Sequence, residues 1–249
     1  MATATAAAKV VGIDTRQEQS QKRQCAKCVR SADGAVVQKC AQHTRKYSAS
    51  DHPSFSIQQL EAFLTVAERE FGTREIAMFL TAVIHGLRVS ELISLRVSDV
   101  DVDAKTISIR RKKNGNDGRQ DLMSLNGWKE NYILGVWLKE RAEYAGAAQS
   151  DALFLSQRTD GNGAAQAIDR TQIYYLFDRI CEKASIPAEY RHPHCLRHSC
   201  GFLLAEKGID TRYIQHHLGH KNINSTAIYT QPRKDSVSEK VQNAFRRML

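Results

Sequence analysis

The residues best suited to chemistry are a tyrosine and the basic side chains that precede it along the chain. They are Arg88, Lys112 or Lys113, His194, Arg197, His220 and Tyr229, with the tyrosine nine residues after His220. A phosphodiester resists attack because its oxygens are negative and gain more charge in the transition state, so catalysis needs fixed positive donors. A phenol aligned among such donors can attack phosphorus. The order of these residues therefore predicts phosphoryl transfer to a tyrosine.

Each residue type suits one part of that reaction. Arg88 and Arg197 can present paired N–H donors to phosphate oxygens and stay charged near neutral pH. A lysine on a flexible hairpin can protonate the leaving oxygen as general acid. Lys112 and Lys113 are adjacent, and alternation along a strand points them to opposite faces, so these considerations leave both open.

The histidines are candidates for accepting the tyrosine proton and for orienting the tyrosine oxygen. A tyrosine hydroxyl with a pKa of about 10 is protonated at neutral pH, so it needs a route for its proton. We expect His194 to accept that proton and His220 to hydrogen-bond the phosphate and orient the attacking oxygen. His198, beside Arg197, is interpreted as a packing residue or as support for a neighbour.

Four blocks surround these residues, and together they resemble the tyrosine recombinase (phage integrase) family. The blocks are Gly86–Leu92, His194–Ser199, Leu218–His220 and Ile228–Thr230. The resemblance runs from about Phe55 to Thr230. The stretch from His192 to Thr230 is most similar to the short fimbrial phase-switch recombinases, DNA invertases that lack a separate amino-terminal DNA-binding domain.

The resemblance implies a mainly α fold with a small antiparallel β-sheet, the catalytic-domain fold of that family. It implies site-specific inversion, excision or integration of DNA through a covalent 3′-phosphotyrosine, without ATP or metal. Lys113 becomes the preferred acid because Lys-Asn-Gly resembles the family's hairpin pattern, and Lys112 replaces it if the register differs by one residue. Glu91 resembles the acidic buttress of the first arginine.

Two other functions are compatible with parts of this pattern. One is a non-catalytic DNA-binding regulator of the same fold, which would have no need of Tyr229. The other is a relaxing enzyme similar to type IB topoisomerases, which would act as a monomer. The sequence shows neither a phosphate-binding glycine-rich loop nor an acidic metal cluster.

Apolar periodicity predicts the elements that position these residues. Helices are expected from the capping box Ser56/Gln59 to near Gly72, from the cap Thr73 to the turn before Arg88, over Val89–Leu95, and over Trp128–Ala142 and Asp169–Ala184. Alternation around Ile107 and Ile109, a glycine-rich turn and Leu122–Leu125 predict a β-hairpin. Residues 53–249 are therefore expected to form the catalytic domain.

Charge points to a polyanionic partner. The formal net charge is +9, of which residues 1–50 carry +6, from nine Lys/Arg against three acids. We interpret residues 1–52 as a flexible basic arm. In that arm, Cys25, Cys28, Cys40 and His43 have spacing that could bind a structural zinc, or they are incidental residues of a disordered segment.

The remaining predictions concern DNA, assembly and location. Double-stranded DNA with specific recombination sites is the expected partner, and the candidate contacts are Arg45, Lys46, Arg170, Gln172 and Tyr175. An apolar stripe predicts a short helix over 236–249. The family resemblance implies that this helix docks into a neighbouring subunit and links a homotetramer, and the alternative is that it folds back on its own domain. The chain shows no run long enough to span a membrane and no convincing signal peptide, so a cytoplasmic, nucleoid-associated protein is expected.

Overall fold

A computed structural model describes residues 29–30, 36–38, 52–111 and 118–230. The chain divides into two compact units, Met1–Lys46 and Tyr47–Leu249. In the first unit, strands β1 (Val29–Arg30) and β2 (Val36–Gln38) pair antiparallel. The predicted zinc ligands Cys25, Cys28, Cys40 and His43, the basic residues Arg45 and Lys46, the lysines Lys112 and Lys113, and the predicted helix over 236–249 lie outside the described residues.

The described part of the second unit is mainly helical. Its α-helices are α1 (Ile57–Val66), α2 (Thr73–Ile84), α3 (Val89–Ile93), α4 (Glu130–Ala142), α5 (Arg170–Lys183), α6 (His194–Glu206), α7 (Thr211–Leu218) and α8 (Asn224–Thr230). The predicted capping box at Ser56 begins α1, which continues as a π-helical turn over Ala67–Phe71 and ends at Gly72. Gly72, and not Thr73, is the cap residue of α2.

Small antiparallel sheets complete the unit. Strands β3 (Val100–Asp101), β4 (Thr106–Ile109) and β5 (Gly118–Asp121) form a three-stranded sheet with β4 in the centre. Two further pairs are β6 (Ser124–Leu125) with β7 (Trp128–Lys129), and β8 (Leu155–Thr159) with β9 (Ala165–Ala167).

Two boundaries around the first sheet differ from the prediction. The strand that returns to β4 is Gly118–Asp121, where Leu122–Leu125 was expected. That expectation was wrong because residues Gly118–Asp121 are largely polar, so β5 lacks the apolar alternation by which a strand is predicted. Trp128 and Lys129 belong to a strand, so α4 begins at Glu130 and not at Trp128.

The main core lies between α1, α2 and α5. Phe55, Phe63, Phe79 and Phe177 form an aromatic cluster whose neighbouring ring centroids are 5.0 to 6.0 Å apart. All four are almost fully buried, as are the apolar residues Leu60, Leu64, Leu80 and Ile173 on the same three helices. Burial of aromatic rings of this size is a main source of stability, so this core provides a rigid base for α6.

A smaller apolar cluster joins the last three helices. It consists of Cys200 on α6, Ile214 and Leu218 on α7, and Tyr229 on α8. The backbone N–H of Phe55 donates to Ser199 Oγ at 2.8 Å and so links the start of the folded unit to α6. Tyr229 is thus packed against α6, which also contributes Cys195 and Leu196 to the main core.

No helix in the described part of the chain is both long enough and apolar enough to cross a bilayer.

Candidate active site

Five of the six predicted catalytic residues line one open cleft of about 380 Å³. Arg88 immediately precedes α3, His194 and Arg197 lie in the first turn of α6, His220 follows α7, and Tyr229 lies on α8. The cleft is lined by His52, Arg88, His194, Arg197, His198, His220, Asn224, Ser225, Ile228 and Tyr229. Four separated stretches of the chain therefore meet at one concave surface.

Glu91 lies behind this surface as an anchor for arginines. Its Oε2 accepts from the backbone N–H of Arg88 at 3.0 Å, and its Oε1 accepts from the Arg88 guanidinium at 2.7 Å. Oε2 also lies 3.8 Å from Arg197. Burial raises the pKa of Glu91, but its hydrogen bonds from Arg88 and the charges of Arg111 and Arg197 outweigh burial, so the net shift of the pKa is downward.

Arg111 is a third arginine of this centre, and it is not among the residues predicted from the sequence. Its guanidinium donates to Glu91 Oε2 at 3.1 Å and to the carbonyl oxygens of His85 at 3.0 Å and His217 at 2.5 Å. The side chain is 1% exposed. It also lies against Gly219, where an added Cβ would approach it to 2.7 Å.

Arg111 thus connects three parts of the site. It lies between the end of β4 and residues 112–117, which include both lysine candidates, and it contacts Glu91 and the end of α7. Its sequence signal was weak, because Arg110–Lys113 is a run of four basic residues and such a run is usually a solvated surface.

Arg197 is held by backbone carbonyls. Its two terminal nitrogens donate to the oxygens of Gly86 at 2.5 Å and Leu218 at 2.8 Å. Burial, followed by the neighbouring charge of Arg88, lowers its pKa to about 10, so the guanidinium remains charged at neutral pH. Fixed orientation of a buried charge is what electrostatic catalysis requires, because no reorganisation is needed when the transition state forms.

Three histidines of the cleft, His194, His198 and His220, are neutral near pH 7. Burial, reinforced by neighbouring positive groups, lowers the pKa of His194 to about 4 and those of His198 and His220 to about 3. His220 Nδ1 lies 2.8 Å from Thr226 Oγ1, which fixes the ring. Neutral imidazoles can accept a proton or donate one N–H, so the cleft holds proton acceptors beside its permanent cations.

Tyr229 lies at the inner side of the cleft and is 6% exposed. Its hydroxyl is 3.1 Å from His198 Nδ1, and its ring lies parallel to that of His220, with centroids 6.3 Å apart. Burial raises the pKa of the phenol to about 12, although the nearby Arg197 opposes that shift. A phenol with such a pKa needs a base in order to act as a nucleophile near neutral pH.

The predicted DNA contacts on α5 lie outside this cleft. Gln172 completes the capping box with Asp169, and its Nε2 donates to Ser156 Oγ at 2.9 Å, so its side chain has a structural use. Arg170 contacts Tyr174, and Tyr175 is 64% exposed. The proposed DNA contacts of Arg170, Gln172 and Tyr175 stay predictions.

Within residues 52–111 and 118–230, no group of three or more His, Cys, Asp or Glu side chains is arranged to hold a metal ion. Cys181, Cys195 and Cys200, also in this part of the chain, are buried free thiols. The zinc hypothesis concerns other residues and stays a prediction.

The chain is similar to a known protein family and to two bacterial regulatory proteins. Residues 54–236 match the phage integrase family model. The chain is 41% identical to the type 1 fimbriae regulatory protein FimE of Escherichia coli K12 over 162 residues, which are 64% of this chain and 75% of FimE. It is 40% identical to FimB of the same strain over 173 residues, or 69% of this chain and 80% of FimB.

A solved structure has the same fold. The crystal structure of XerH site-specific recombinase in a pre-cleavage complex with its difH substrate aligns with a TM-score of 0.61 and 24% identity. The alignment covers 85% of this chain and 59% of that chain, so this chain spans less than two thirds of the XerH structure. This likeness confirms the predicted fold class of a mainly helical catalytic domain with small antiparallel sheets.

The family match, which covers most of the chain, agrees with the site described above, in which arginines and histidines surround Tyr229. The chain therefore belongs to the phage integrase family, the tyrosine-type site-specific DNA recombinases.

Proposed function

We propose that this protein cuts and rejoins DNA at specific sites through a 3′-phosphotyrosine formed on Tyr229. Arg88, Arg197 and His220 hold the scissile phosphate and stabilise the charge that grows on its oxygens. Glu91 holds Arg88 in place, and Lys113, or Lys112 in the alternative register, protonates the leaving 5′ oxygen. The tyrosine proton passes to the histidines of the cleft, among which His194 is the acceptor expected from the sequence.

The bond changes in this scheme balance without a cofactor. The Tyr229 oxygen forms a bond to phosphorus while the bond from phosphorus to the 5′ oxygen breaks. The covalent intermediate conserves the energy of the broken bond, so a 5′ hydroxyl of another strand can reverse the step and rejoin the DNA. Two arginines provide the positive charge that a metal ion supplies in other phosphoryl-transfer sites.

One observation carries this proposal: Arg88, His194, Arg197, His220 and Tyr229 line the same cleft although the sequence separates them by up to 141 positions. A regulator that only binds DNA has no need of a tyrosine directed at a cluster of neutral histidines. The substrate class rests on the family and on the positive charge of the cleft.

Replacement of Tyr229 by Phe tests the proposal directly. The wild-type protein, incubated with nicked duplex that carries its recombination site and with EDTA present, is expected to form an adduct that survives denaturation. The Tyr229→Phe variant should form none, because only the hydroxyl is lost, while its DNA affinity should stay near that of the wild type. Denaturing gel electrophoresis with labelled DNA measures the adduct. An adduct that persists in Tyr229→Phe would show that another residue is the nucleophile.

The partners and the location extend this proposal. We propose double-stranded DNA with specific recombination sites as substrate, which the DNA-bound state of the XerH relative supports. Exchange of the helix over 236–249 between subunits would assemble a homotetramer on DNA, in a cytoplasmic, nucleoid-associated setting.

A structural zinc on Cys25, Cys28, Cys40 and His43 would order the basic arm, and no step of the reaction depends on it.

A further inference from the structure

The hydroxyl of Tyr229 already has a hydrogen-bonding partner, and that partner is His198. Nδ1 of His198 lies 3.1 Å from the tyrosine oxygen. Both side chains are nearly buried, with 8% of His198 and 6% of Tyr229 exposed. Within the part of the chain that the structure describes, this is the one histidine nitrogen recorded at hydrogen-bonding distance from that oxygen.

The other histidines of the cleft have different relations to Tyr229. His220 stacks parallel to the tyrosine ring, and its Nδ1 is engaged by Thr226. His194 packs at a right angle against His198, with ring centroids 4.7 Å apart. The histidine whose ring nitrogen lies at hydrogen-bonding distance from the phenol in the described part of the chain is therefore His198 and not His194.

The residues around the ring of Tyr229 leave room for its hydroxyl to contact His198. Gly201 lies on α6 one turn beyond His198, and a Cβ there would come within 2.7 Å of two ring carbons of Tyr229. Phe202 closes another side with an edge contact, its ring centroid 5.0 Å from that of the tyrosine. The absence of a side chain at 201 therefore allows the hydroxyl to reach the histidine.

We propose that His198 is a catalytic residue that holds the Tyr229 hydroxyl and takes its proton as the oxygen attacks phosphorus. The inference rests on the proposed function and assigns its proton acceptor. With the ring proton on Nε2, Nδ1 accepts the hydroxyl hydrogen bond. The proton then moves to Nδ1, the Oη–P bond forms, and the leaving 5′ oxygen takes a proton from the hairpin lysine.

The surroundings of His198 keep its ring unprotonated before the reaction, so that it can accept a proton. Among the residues that the structure describes, the titratable groups that face it are His52, His192, His194, Arg197 and Tyr229. Burial, His194 and His52 lower its pKa to about 3, so the ring is neutral over the working pH range. A bound phosphate adds negative charge to the cleft and favours protonation during the reaction.

Two substitutions separate proton transfer from simple support. His198→Ala removes both the contact and the base, whereas His198→Asn keeps an acceptor oxygen near the position of Nδ1 but cannot take a proton. Single-turnover cleavage should fall by at least about 100-fold in both variants, the scale of general base catalysis. His216→Asn, on the exposed surface of α7, is the matched control and should cleave like the wild type.

The pH profile provides a readout that a structural role would not change. Wild-type cleavage should vary little from pH 6 to 9, because His198 is unprotonated throughout. In both His198 variants the rate should rise with pH by nearly tenfold for each pH unit, because Tyr229 must then ionise without a base. Parallel profiles for the wild type and the variants, or an unchanged rate in His198→Ala, would overturn the inference.

A substrate with sulfur in place of the 5′ bridging oxygen isolates the step further. A thiolate leaves without a proton, so this substrate should restore cleavage by a Lys113→Ala or Lys112→Ala variant and leave the His198 variants slow. Rescue of His198→Ala would place the defect at the leaving group and contradict the inference. If the wild type itself forms no adduct, the proposed function fails instead, so the two failures are distinguishable.

Discussion

At the scale of single residues, the site depends on side chains with fixed orientations. Glu91 binds Arg88, Arg111 contacts the same carboxylate, and Arg197 is held by two carbonyl groups. Tyr229 differs from these cations, because burial makes its hydroxyl a weaker acid while it places that hydroxyl beside His198. In the proposed reaction, attack by Tyr229 therefore depends on alignment and on a proton acceptor.

The close contact between Gly201 and the ring of Tyr229 leads to a prediction about the alignment of the tyrosine hydroxyl. In a helix interior, replacement of Gly by Ala favours the helix by about 1 kcal/mol. At this position the new methyl would meet the Tyr229 ring. Gly201→Ala should therefore cleave at least about 10-fold more slowly, since a displacement of about 1 Å can cost about 100-fold in rate.

The measurement is single-turnover cleavage together with the thermal midpoint and DNA affinity, both of which should change little. Gly161→Ala is the control, because a Cβ there meets nothing within 4 Å. Cleavage by Gly201→Ala at the wild-type rate would show that the ring position in this structure is not the one required for attack.

At the scale of elements, β4 and the residues that follow it tie the hairpin to the catalytic centre. Gln120 Oε1 on β5 accepts a hydrogen bond from Nδ1 of His85 at 2.7 Å, and Nε2 of the same side chain donates to the His217 carbonyl at 2.9 Å. His85 Nε2 lies 3.0 Å from Glu130 on α4. Together with Arg111, these contacts connect the sheet with α2, α4 and α7 and so position the base of the hairpin.

Arg111 and its neighbour Arg110 form a matched pair for testing this connection. Arg111→Met removes a buried ion-pair partner and should lower the free energy of unfolding by about 3 kcal/mol. Arg110 pairs with Asp99, but its side chain is 51% exposed. Arg110→Met should therefore lower it by no more than about 1 kcal/mol.

Urea unfolding measures both variants, and cleavage of nicked DNA should be much slower in Arg111→Met than in Arg110→Met. Similar losses of stability in the two variants would contradict the role assigned to Arg111.

At the scale of the whole molecule, stability and charge both depend on pH. Burial lowers the pKa values of His194, His198 and His220 to between about 3 and 4. A histidine in the unfolded chain has a pKa of about 6.5, so the unfolded state binds more protons between these values. The free energy of unfolding therefore rises with pH in this window and falls when the pH drops below about 6.5.

We expect the urea midpoint of the wild type to be lower at pH 5 than at pH 7.5. The free energy of unfolding should decrease by at least about 1 kcal/mol over this range, after allowance for partial exposure of the histidines. Carboxylates titrate mainly below this range, so the histidines dominate the change. His198→Asn should show a smaller fall, because one of the groups is removed. Circular dichroism during urea titration measures it, and an equal midpoint at both pH values would refute the prediction.

Local patterns determined much of the architecture and most of the candidate site. The capping box at Ser56, the apolar stripes of α1 and α2, and the extent of α5 depend on contacts within a few residues, so periodicity located them. The blocks around Arg88, His194, Arg197, His220 and Tyr229 likewise carried a family resemblance that the comparisons confirmed. Helical spacing could also have placed His194, Arg197, His198 and Gly201 on one face of α6.

Tertiary structure decided what depends on residues far apart in the chain. The pairing of β4 with Gly118–Asp121, the burial of Arg111 behind Glu91, and the contact between His198 and Tyr229 arise when α3, α6, α7 and α8 meet. The roles of Arg111, within a run of basic residues, and of His198 could not be read from the sequence, because other segments of the chain form their environment. The sequence thus determined which reaction the protein is equipped for, and folding decided which neighbours hold the arginines and the tyrosine.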